Sequence, residues 1–333
     1  MRAMVLEGPA PVTESPLKLR EVPKPESAER QIRVAVRCCG VCHTDLHTVE
    51  GELKLPKLPL IPGHQIVGIV EARGAGALKF REGDRVGVPW LFRTDGTCRY
   101  CLTGQENLCN RAEFTGLNAD GGYADYVVVD EDFAYRLPFA FDDAHAAPLL
   151  CAGVIGYRSF RLSGAKRGDR LGLYGFGASA HIVLQFARHQ GCDVYVFSRG
   201  EAHRRMALTL GAVWAGDAKD APGEKLDAAI IFAPAGSLVP LALRASRKGA
   251  TVALAGITMS PIPQLDYELL YGERALRSVA NSTRQDVEEF LELAAEVPVT
   301  TEVTEFALED ANLALQKLKN SEINGAGVLR VAP

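Results

Sequence analysis

The possible folds of this chain are restricted most by a glycine-rich turn that follows an apolar segment and precedes a helical one. In the sequence GLYGFGASAH, Gly175, Gly177 and Ala180 stand in a GxGxxA pattern. Between a strand and a helix, such glycines let the backbone approach a pyrophosphate at the helix N-terminus. We therefore predict that this turn, with Phe176 and Ala178, binds a dinucleotide; the alternative is a glycine turn that serves only close packing.

The segments after Gly168 alternate between apolar runs and helical patterns, which predicts a parallel sheet with crossover helices. The expected strands are 170–174, 193–197, 213–215, 226–232, 250–255 and 275–280, and the expected helices are 178–190, 201–210, 237–248 and 283–296. The first half of the chain instead has short alternating apolar runs separated by Gly and Pro, which is typical of a β-rich domain. The expected fold class is α/β, with a β-rich domain and a doubly wound parallel-sheet domain.

The residues after the second expected strand of this sheet favour one nicotinamide cofactor over the other. An acidic residue there would accept hydrogen bonds from the ribose of NAD, but this chain has Ser198 and Arg199, with Arg204 and Arg205 further along. A hydroxyl and a guanidinium bind a 2′-phosphate, which a carboxylate would repel. We predict a preference for NADP(H), with NAD(H) as the alternative, although arginines at this place can also form a solvated helix face.

Composition limits the classes of partner. The chain has 333 residues, a hydrophobic fraction of 47% and a formal net charge of −4, which is enough apolar material for two cores and argues against nucleic-acid binding. The sequence has no apolar run long enough to span a membrane and no export signal at its N-terminus. We therefore expect a cytoplasmic protein, without nucleic-acid or membrane partners, whose eight cysteines are reduced.

Side chains that bind metals occur in three separate segments. Cys42 lies in GVCHTDLHTVEG, His64 lies in IPGHQIVG, and Cys151 in PLLCAG is the candidate for a third ligand. Two thiolates and one imidazole leave a fourth tetrahedral position open, which is typical of catalytic zinc. Two alternatives stand beside this prediction: an isolated cysteine such as Cys151 is often an inert core residue, and Cys39 with Cys42 resembles a redox dithiol.

A second group of potential ligands lies in TDGTCRYCLTGQENLC. Cys98 and Cys101 have the spacing of a zinc site, Cys109 follows them, and Asp95 precedes them. Three thiolates and a carboxylate can close a tetrahedral site without room for substrate, so we predict a structural zinc and two zinc ions per chain. The alternative is a zinc ribbon that binds nucleic acid or protein, against which the acidic balance and the dinucleotide turn both argue.

Taken in order, several motifs resemble the zinc-dependent medium-chain alcohol dehydrogenases, in particular the bacterial branch related to cinnamyl alcohol dehydrogenases. These motifs are GVCHTDLH, the Gly63–His64 pair, the segment with four ligands, DGGYADYVVV, PLLCAG and the GxGxxA turn. The resemblance implies a GroES-like catalytic domain at 1–152, completed by 292–333, and a Rossmann domain at 153–291. It also implies a homo-oligomer, either a dimer or a tetramer.

The resemblance assigns roles to residues around the first group of ligands, which would hold the catalytic zinc. Thr44 matches the hydroxyl that takes the proton of the substrate alcohol, and His47 matches the imidazole that passes it to solvent. Asp45 matches the carboxylate that orients the ligand His64. His43, beside the ligand Cys42, is expected either near the cofactor or at the exposed surface.

The implied reaction is the reversible oxidation of a primary alcohol to an aldehyde, and an NADP(H) cofactor favours aldehyde reduction. The substrate would be a small molecule. Three positions depart from the family pattern: Asp95 replaces a cysteine, Gln65 replaces a glutamate, and Gly325–Gly327 stands where many members have an arginine. A polyol or amino-alcohol dehydrogenase, and a non-catalytic module that binds zinc and NADP, are the alternative functions.

Overall fold

The computed structural model describes residues 1–297 and 299–332. Its strands are β1 (Arg2–Leu6), β2 (Leu17–Glu21), β3 (Gln31–Val41), β4 (Ile66–Arg73), β5 (Arg85–Val88), β6 (Leu91–Arg93), β7 (Glu113–Phe114), β8 (Tyr126–Asp130), β9 (Tyr135–Arg136), β10 (Arg170–Tyr174), β11 (Asp193–Phe197), β12 (Trp214–Gly216), β13 (Leu226–Ile231), β14 (Ser246–Leu254), β15 (Ala275–Ser278), β16 (Val303–Ala307) and β17 (Ala326–Arg330). Its helices are α1 (His43–Glu50), α2 (Arg99–Leu102), α3 (Asp143–Ala146), α4 (Ala152–Ser163), α5 (Ala178–His189), α6 (Glu201–Thr209), α7 (Leu238–Ala245), α8 (Arg284–Glu296) and α9 (Ala311–Lys319).

The chain forms two compact units. Unit 1 contains Met1–Cys151, Ser282–Ala295 and Thr300–Pro333, and unit 2 contains Ala152–Asn281 and Glu296–Val299. Unit 1 resumes at residue 282, earlier than the predicted boundary at residue 292. The reason is that Arg284, at the start of α8, is bound to unit 1: its amide and its Nε donate to Glu106 Oε1 at 2.9 and 3.3 Å.

Unit 2 is built on a six-stranded sheet in which all neighbouring strands are parallel. The strand order is β12-β11-β10-β13-β14-β15, so the predicted doubly wound sheet is confirmed. The predicted helix 237–248 was too long, because Ser246 pairs with Leu226 of β13 and its hydroxyl donates to the carbonyl of Ala242 at 2.7 Å. The helix α7 therefore ends at Ala245.

Unit 1 contains a seven-stranded sheet that brings two of the potential metal ligands together. Its order is β16-β17-β3-β4-β5-β9, with β8 paired to β3. The strand β3 buries every second residue at its start, including Ile32, Val34 and Val36, and fixes its register by this apolar face. Because β3 and β4 are antiparallel and pair Cys39 with Ile66, the residues after β3 lie beside the residues before β4.

The third potential ligand is positioned by a short helical segment of unit 1. Asp142 caps α3 by accepting a hydrogen bond from the amide of His145 at 2.9 Å. A 3-10 helix, Ala147–Leu150, follows, and Leu150 is buried where a side chain on Gly87 would collide with it. Cys151 comes directly after this anchored turn. In the part of the chain that the structure describes, no helix is long and apolar enough to cross a membrane.

Candidate active site

Helix α1 begins at the first potential ligand, Cys42, and the N-cap geometry fixes the position of its thiol. The Cys42 Sγ accepts a hydrogen bond from the amide of Thr44 at 3.3 Å, while the Cys42 amide donates to Asp45 Oδ2 at 2.9 Å. These two bonds form a capping box, which satisfies amides that the helix itself leaves without a partner. The sulfur therefore lies at the positive end of α1, where a thiolate is favoured.

His64 lies in a turn that is closed by a second segment. Three consecutive amides, 121–123, donate to the carbonyl oxygens of residues 61–63 at 2.7 to 3.0 Å. The turn also requires glycine: Gly63 has φ +100, and a Cβ there would lie 2.4 Å from Cδ1 of Tyr123. The backbone before His64 is thus fixed on both sides.

The structure brings Cys42, His64 and Cys151 together. The Cys42 Sγ lies 3.2 Å from His64 Nε2 and 4.0 Å from Cys151 Sγ, and all three ligand atoms lie within 4.8 Å of one another. A tetrahedral zinc with bonds of about 2.0 to 2.3 Å places its ligand atoms roughly 3.5 to 3.8 Å apart. The three residues therefore fit a zinc ion and leave one coordination position free.

The buried carboxylate of Asp45 orients the imidazole. Asp45 Oδ1 lies 2.9 Å from His64 Nδ1, and the side chains of both residues are 2% exposed. The contact with Asp45 places a proton on Nδ1, so Nε2 is the nitrogen that faces the thiols and would bind a metal. One carboxylate thus serves two tasks, since its other oxygen caps α1 at Cys42.

The three candidate ligands also influence each other's protonation. The hydrogen bond from Cys151, followed by the nearby imidazole of His64, holds the pKa of Cys42 well below its usual value against the effect of burial. The same hydrogen bond and burial raise the pKa of Cys151. Burial opposes the protonation of His64, but Asp45 and Cys42 outweigh it and raise the pKa of the imidazole. Without a metal, Cys151 and the imidazole therefore keep protons that a bound divalent cation would displace.

The hydroxyl and imidazole predicted to move a proton lie on one face of α1. Thr44 and His47 are three residues apart, so their side chains are neighbours on the helix surface. The Nδ1 of His47 lies 2.6 Å from Glu52 Oε2, and the side chain of Glu52 is 51% exposed against 15% for His47. His43 is exposed, with its ring 6.3 Å from that of His47.

The sequence reasoning missed Glu52. This residue follows Gly51, the left-handed C-cap of α1, and its amide donates to the carbonyl of His47 at 2.9 Å. The chain therefore turns back just after the helix and brings the carboxylate to the imidazole. The sequence did contain a signal for this contact: an acidic residue directly follows a glycine that ends a helix, where the chain often turns back toward the last helical turn.

The four residues of the second predicted zinc site also converge. The Asp95 Oδ1 accepts hydrogen bonds from the amides of Thr97 and Cys98, both at 2.9 Å, and lies 3.4 Å from Cys101 Sγ. The sulfurs of Cys98 and Cys101 are 3.6 Å apart, and Cys109 completes a group whose ligand atoms lie within 4.8 Å of one another. Three thiols and one carboxylate therefore fit a closed tetrahedral zinc site.

The carboxylate of this second group is ionised in the folded chain. The amides of Cys98 and Thr97 hold the pKa of Asp95 well below its usual range. Burial raises the pKa of Cys101 to about 11. A metal that binds here meets a carboxylate that is already charged and at least one thiol that must release its proton first.

The glycine turn of unit 2 lies between β10 and α5, as predicted. Gly175 has φ +88, and a Cβ there would lie 2.9 Å from the amide nitrogen of Ala233, so only glycine is accommodated. Gly177 is the N-cap of α5 and has open space where a Cβ would be. Phe176 and Ala180 are buried. The exposed helix N-terminus that this arrangement creates is suited to a phosphate.

Beyond β11, the side chains are polar or basic. Ser198 is buried, Arg199 is exposed, and Arg204 Nη1 donates to the Ser198 carbonyl at 3.2 Å. Arg205 forms an ion pair with Glu201. The first carboxylate after β11 is that of Glu201, which is already inside α6.

An aromatic pair lies beside the first metal cluster. The ring of Trp90 stacks on Phe114 with a centroid distance of 4.3 Å, and it lies 6.2 Å from the ring of His64. The sequence reasoning did not find Phe114, because it lies far from Trp90 along the chain. The two rings meet only because β6 and β7 pair and place Leu91 opposite Phe114. The pair is a flat apolar surface next to the imidazole.

The alternative reading of Cys39 and Cys42 as a redox dithiol is not supported. Cys39 is completely buried, its Sγ lies 3.6 Å from the carbonyl of Gly40, and burial raises the pKa of its thiol. An inert, protonated thiol is the opposite of what dithiol exchange requires. All eight cysteines are free.

Two family models and a relative of known family match most of this chain. Residues 28–139 match the family model for the alcohol dehydrogenase GroES-like domain, and residues 180–296 match that for the zinc-binding dehydrogenase domain. The chain is 46% identical over 337 residues to the probable alcohol dehydrogenase AdhA of Mycobacterium tuberculosis (strain CDC 1551 / Oshkosh), covering 99% of this chain and 97% of that one.

Solved structures share the fold over nearly the whole chain. A cinnamyl alcohol dehydrogenase of Sorghum bicolor has a TM-score of 0.90 and 28% identity, covering 99% of this chain and 97% of that one. The CAD of Helicobacter pylori, complexed with NADP(H), has a TM-score of 0.87 and 25% identity, covering 99% of each chain. The chain therefore belongs to the zinc-dependent medium-chain alcohol dehydrogenase family, whose members are NAD(P)-dependent oxidoreductases.

Proposed function

We propose that the protein interconverts primary alcohols and aldehydes with NADP(H) at the cluster of Cys42, His64 and Cys151. The observation that carries this proposal is the convergence of two thiols and one imidazole from three distant segments, with one coordination position left free. Zinc bound by these three residues would supply Lewis-acid polarisation of the substrate oxygen. The Trp90–Phe114 stack beside His64 favours substrates with a flat apolar body.

The proton path runs through α1 toward solvent. In the direction of alcohol oxidation, the Thr44 hydroxyl accepts the proton of the substrate hydroxyl, and His47 takes it onward. The carboxylate of Glu52 contacts Nδ1 of His47 and is itself exposed, so it can pass the proton from His47 to solvent. In the direction of aldehyde reduction, the same groups return a proton to the substrate oxygen.

The cofactor would be bound through unit 2, with its pyrophosphate at the turn of Gly175 and Gly177 and the start of α5. The absence of an acidic side chain between β11 and α6, together with Ser198 and the exposed Arg199, supports NADP(H). The structural neighbours include the CAD of Helicobacter pylori with NADP(H) and an acetophenone reductase of Geotrichum candidum with NAD, so the assignment rests on the residues of this chain. His43, exposed beside Cys42, is proposed to contact the cofactor.

Initial rates with matched panels of aldehydes and primary alcohols, each with both cofactors, test the proposal. We expect the largest kcat/KM for aldehydes with NADPH. Turnover of no aldehyde or alcohol would remove the activity, and a clear preference for NADH would remove the cofactor assignment. The variant Arg199→Glu should lower kcat/KM with NADPH by about 10- to 100-fold, whereas Arg205→Glu, the same charge change on a paired arginine, should not.

The second cluster would hold a structural zinc on Asp95, Cys98, Cys101 and Cys109. Its four ligands leave no coordination position for a substrate, so its role is to order the segment 95–109. Zinc counting on the purified protein tests both clusters, with an expected value of two zinc ions per chain. A value of one, lost in a Cys151→Ser variant, would leave the second cluster without metal.

The surface of unit 2 supports a homo-oligomer. The strand β15 is an edge of the six-stranded sheet, and three of its four residues are exposed. Tyr267 and Tyr271, just before this strand, are 74% and 67% exposed. An open edge beside exposed aromatic rings can pair with the same edge of a second copy. Light scattering after size exclusion should show a dimer or a tetramer, and a monomer would contradict the proposal.

The eight free cysteines fit a reducing compartment, and we place the protein in the cytoplasm. Fluorescent-tag localisation with fractionation tests this placement. A protein recovered with its cysteines oxidised from an exported fraction would contradict it.

A further inference from the structure

Unit 1 exposes an aromatic side chain to solvent at a place that neither metal cluster explains. Phe139 is 98% exposed, the highest value among the large apolar residues that the structure describes, and Leu78 follows at 83%. Single exposed apolar residues are common on soluble proteins, but apolar side chains grouped at one place mark an interaction surface. The surroundings of Phe139 therefore decide what this ring does.

The turn that carries Phe139 is held rigidly. The amide of Phe141 donates to the carbonyl of Pro138 at 3.5 Å, and Arg85 donates to the carbonyls of both residues at 3.2 and 2.9 Å. Arg85 is itself held by Asp143, whose Oδ1 accepts from its Nε at 2.7 Å. The ring is thus presented to solvent in a fixed position, which lowers the entropy cost of burying it in an interface.

A groove of about 410 Å³ lies beside this turn, between residues 135–138 and helix α8. Its floor is apolar, since Tyr135, Leu137 and Leu291 are only 4 to 6% exposed. Phe139 is not part of its lining. We call Phe139, Leu78 and this groove the Phe139 surface: it combines a protruding ring with an apolar hole that this ring leaves open.

The groove also carries charges of both signs. Lys79, which follows Leu78, lines it together with Glu288 and Glu292 of α8, and all three are exposed. The fourth charged residue of the lining, Arg136, already pairs with Asp84 at 2.9 Å. When two copies of a chain meet through the same surface, a patch of one sign repels itself, whereas a patch with both signs attracts.

We propose that the Phe139 surface is an interface between two copies of this chain, in which Phe139 of each copy fills the groove of the other. The ring cannot enter the groove of its own chain, because the turn holds it outward. A second copy related by a two-fold axis supplies both the ring and the hole, as a self-complementary contact requires. A buried aromatic anchor in an apolar pocket is the usual energetic centre of such an interface.

This inference adds a second interface to the homo-oligomer that we propose at the edge of β15. Two different two-fold interfaces on one chain generate a closed assembly of four copies. We therefore expect a tetramer in solution, and the loss of either interface should leave a dimer.

The test is the molar mass of the full-length, zinc-loaded protein by size exclusion with light scattering. We expect Phe139→Asp to halve the mass of the wild type, because a carboxylate cannot enter an apolar groove without losing its water. Ala295→Arg should do the same from the other side, since Ala295 is an exposed residue of the groove lining. Phe139→Leu keeps an apolar side chain and should keep the wild-type mass.

The chain offers a matched control in Leu208, a leucine of α6 that is 50% exposed and lies outside the Phe139 surface. Leu208→Asp introduces the same charge as Phe139→Asp and should leave the mass unchanged. Circular dichroism of each variant verifies that the chain is folded. Since the side chain of Phe139 packs on almost nothing in its own chain, its loss should not disturb the fold.

A wild-type mass in Phe139→Asp or in Ala295→Arg would overturn the inference, as would an equal loss of mass in Leu208→Asp. Tyr271→Asp separates this interface from the one at β15. If Tyr271→Asp lowers the mass and Phe139→Asp does not, the contact at β15 stands and the contact of Phe139 fails. A monomeric wild type would overturn both contacts and would leave the Phe139 surface to a different partner.

Discussion

The two clusters of metal ligands in unit 1 are assembled in different ways. Asp95, Cys98, Cys101 and Cys109 come from one segment of the chain, and hydrogen bonds within that segment hold Asp95 in place. Cys42 and Cys151, by contrast, are 109 residues apart, and their sulfurs meet because a sheet, a helix cap and a short 3-10 helix converge. The cluster of Asp95 is therefore a local structure, whereas the cluster of Cys42 depends on the whole fold of unit 1.

The two clusters of metal ligands also differ in the residues that surround them. Behind the proposed catalytic cluster, the side chains of Asp45 and His64 are each 2% exposed and contact each other at 2.9 Å. The ligands Asp95, Cys98 and Cys101 are half-buried, as Cys42 and Cys151 are, but Asp95 is held by amides of its own exposed loop rather than by a buried imidazole. A deeply supported cluster with a free coordination position is suited to chemistry, while a closed cluster near the surface is suited to ordering a loop.

Removal of a ligand from the catalytic cluster should have the largest effect. We expect Cys151→Ser to lose one zinc of two and to lower turnover at least about 10³-fold, because several kcal/mol of charge stabilisation disappear. Metal analysis and steady-state kinetics measure both quantities. A variant that kept two zinc ions and near-normal turnover would show that Cys151 is the inert core residue that its isolation in the sequence also allowed.

The next largest effect should come from Thr44, which lies beside the cluster without being a ligand. Thr44→Ala is expected to retain both metals and to lose about 10²-fold in turnover, because the proton of the substrate has lost its acceptor. Thr44→Ser is the control, since it keeps the hydroxyl and should retain most of the activity. Equal turnover in the alanine and serine variants would remove Thr44 from the proton path.

The local cluster and the sheet pattern could be read from the sequence because short-range physics determines both. Spacing alone placed Cys98 and Cys101 together, and the alternation of apolar strands and helices after Gly168 predicted the parallel sheet that the structure contains. The residues alone made Cys42, His64 and Cys151 candidate ligands, but they left Cys151 open as an inert core residue. The family resemblance was needed to choose between these two roles, because no local rule connects a helix cap with a residue that far along the chain.

The residues that sequence reasoning missed depend on tertiary contacts. Glu52 reaches His47 only because the chain reverses at Gly51, and Phe114 reaches Trp90 only because β6 and β7 pair. The return of the chain to unit 1 at residue 282 depends on the contact of Arg284 with Glu106, which no periodicity encodes. The local pattern of apolar and polar residues determines where strands and helices form. Long-range contacts determine where these elements end and which side chains they meet.

Substitution of Asp95 should affect the local cluster without reaching the catalytic one. Asp95→Asn removes the charged oxygen ligand and should weaken zinc binding at this cluster by about 10-fold or more, whereas Asp95→Cys should strengthen it because thiolate is the softer ligand. Chelator titration of the zinc-loaded protein ranks the three proteins. In the cobalt-substituted proteins, the visible bands that disappear in Cys151→Ser report on the other cluster and should be the same in all three. A change in these bands would mean that the two clusters are coupled.

The smallest expected effect concerns Glu52, at the exposed end of the proton path. Because Glu52 is half-exposed and water can replace its carboxylate, Glu52→Gln should lower turnover only about 3- to 10-fold, far less than the loss of Thr44. Glu52→Asp keeps the charge and serves as the control. A small buffer such as imidazole should restore part of the lost rate, since it can accept the proton from His47 in place of the carboxylate. If turnover in Glu52→Gln equals that of the wild type with and without added buffer, the contact between Glu52 and His47 only completes the end of α1, and the proton leaves His47 directly to water.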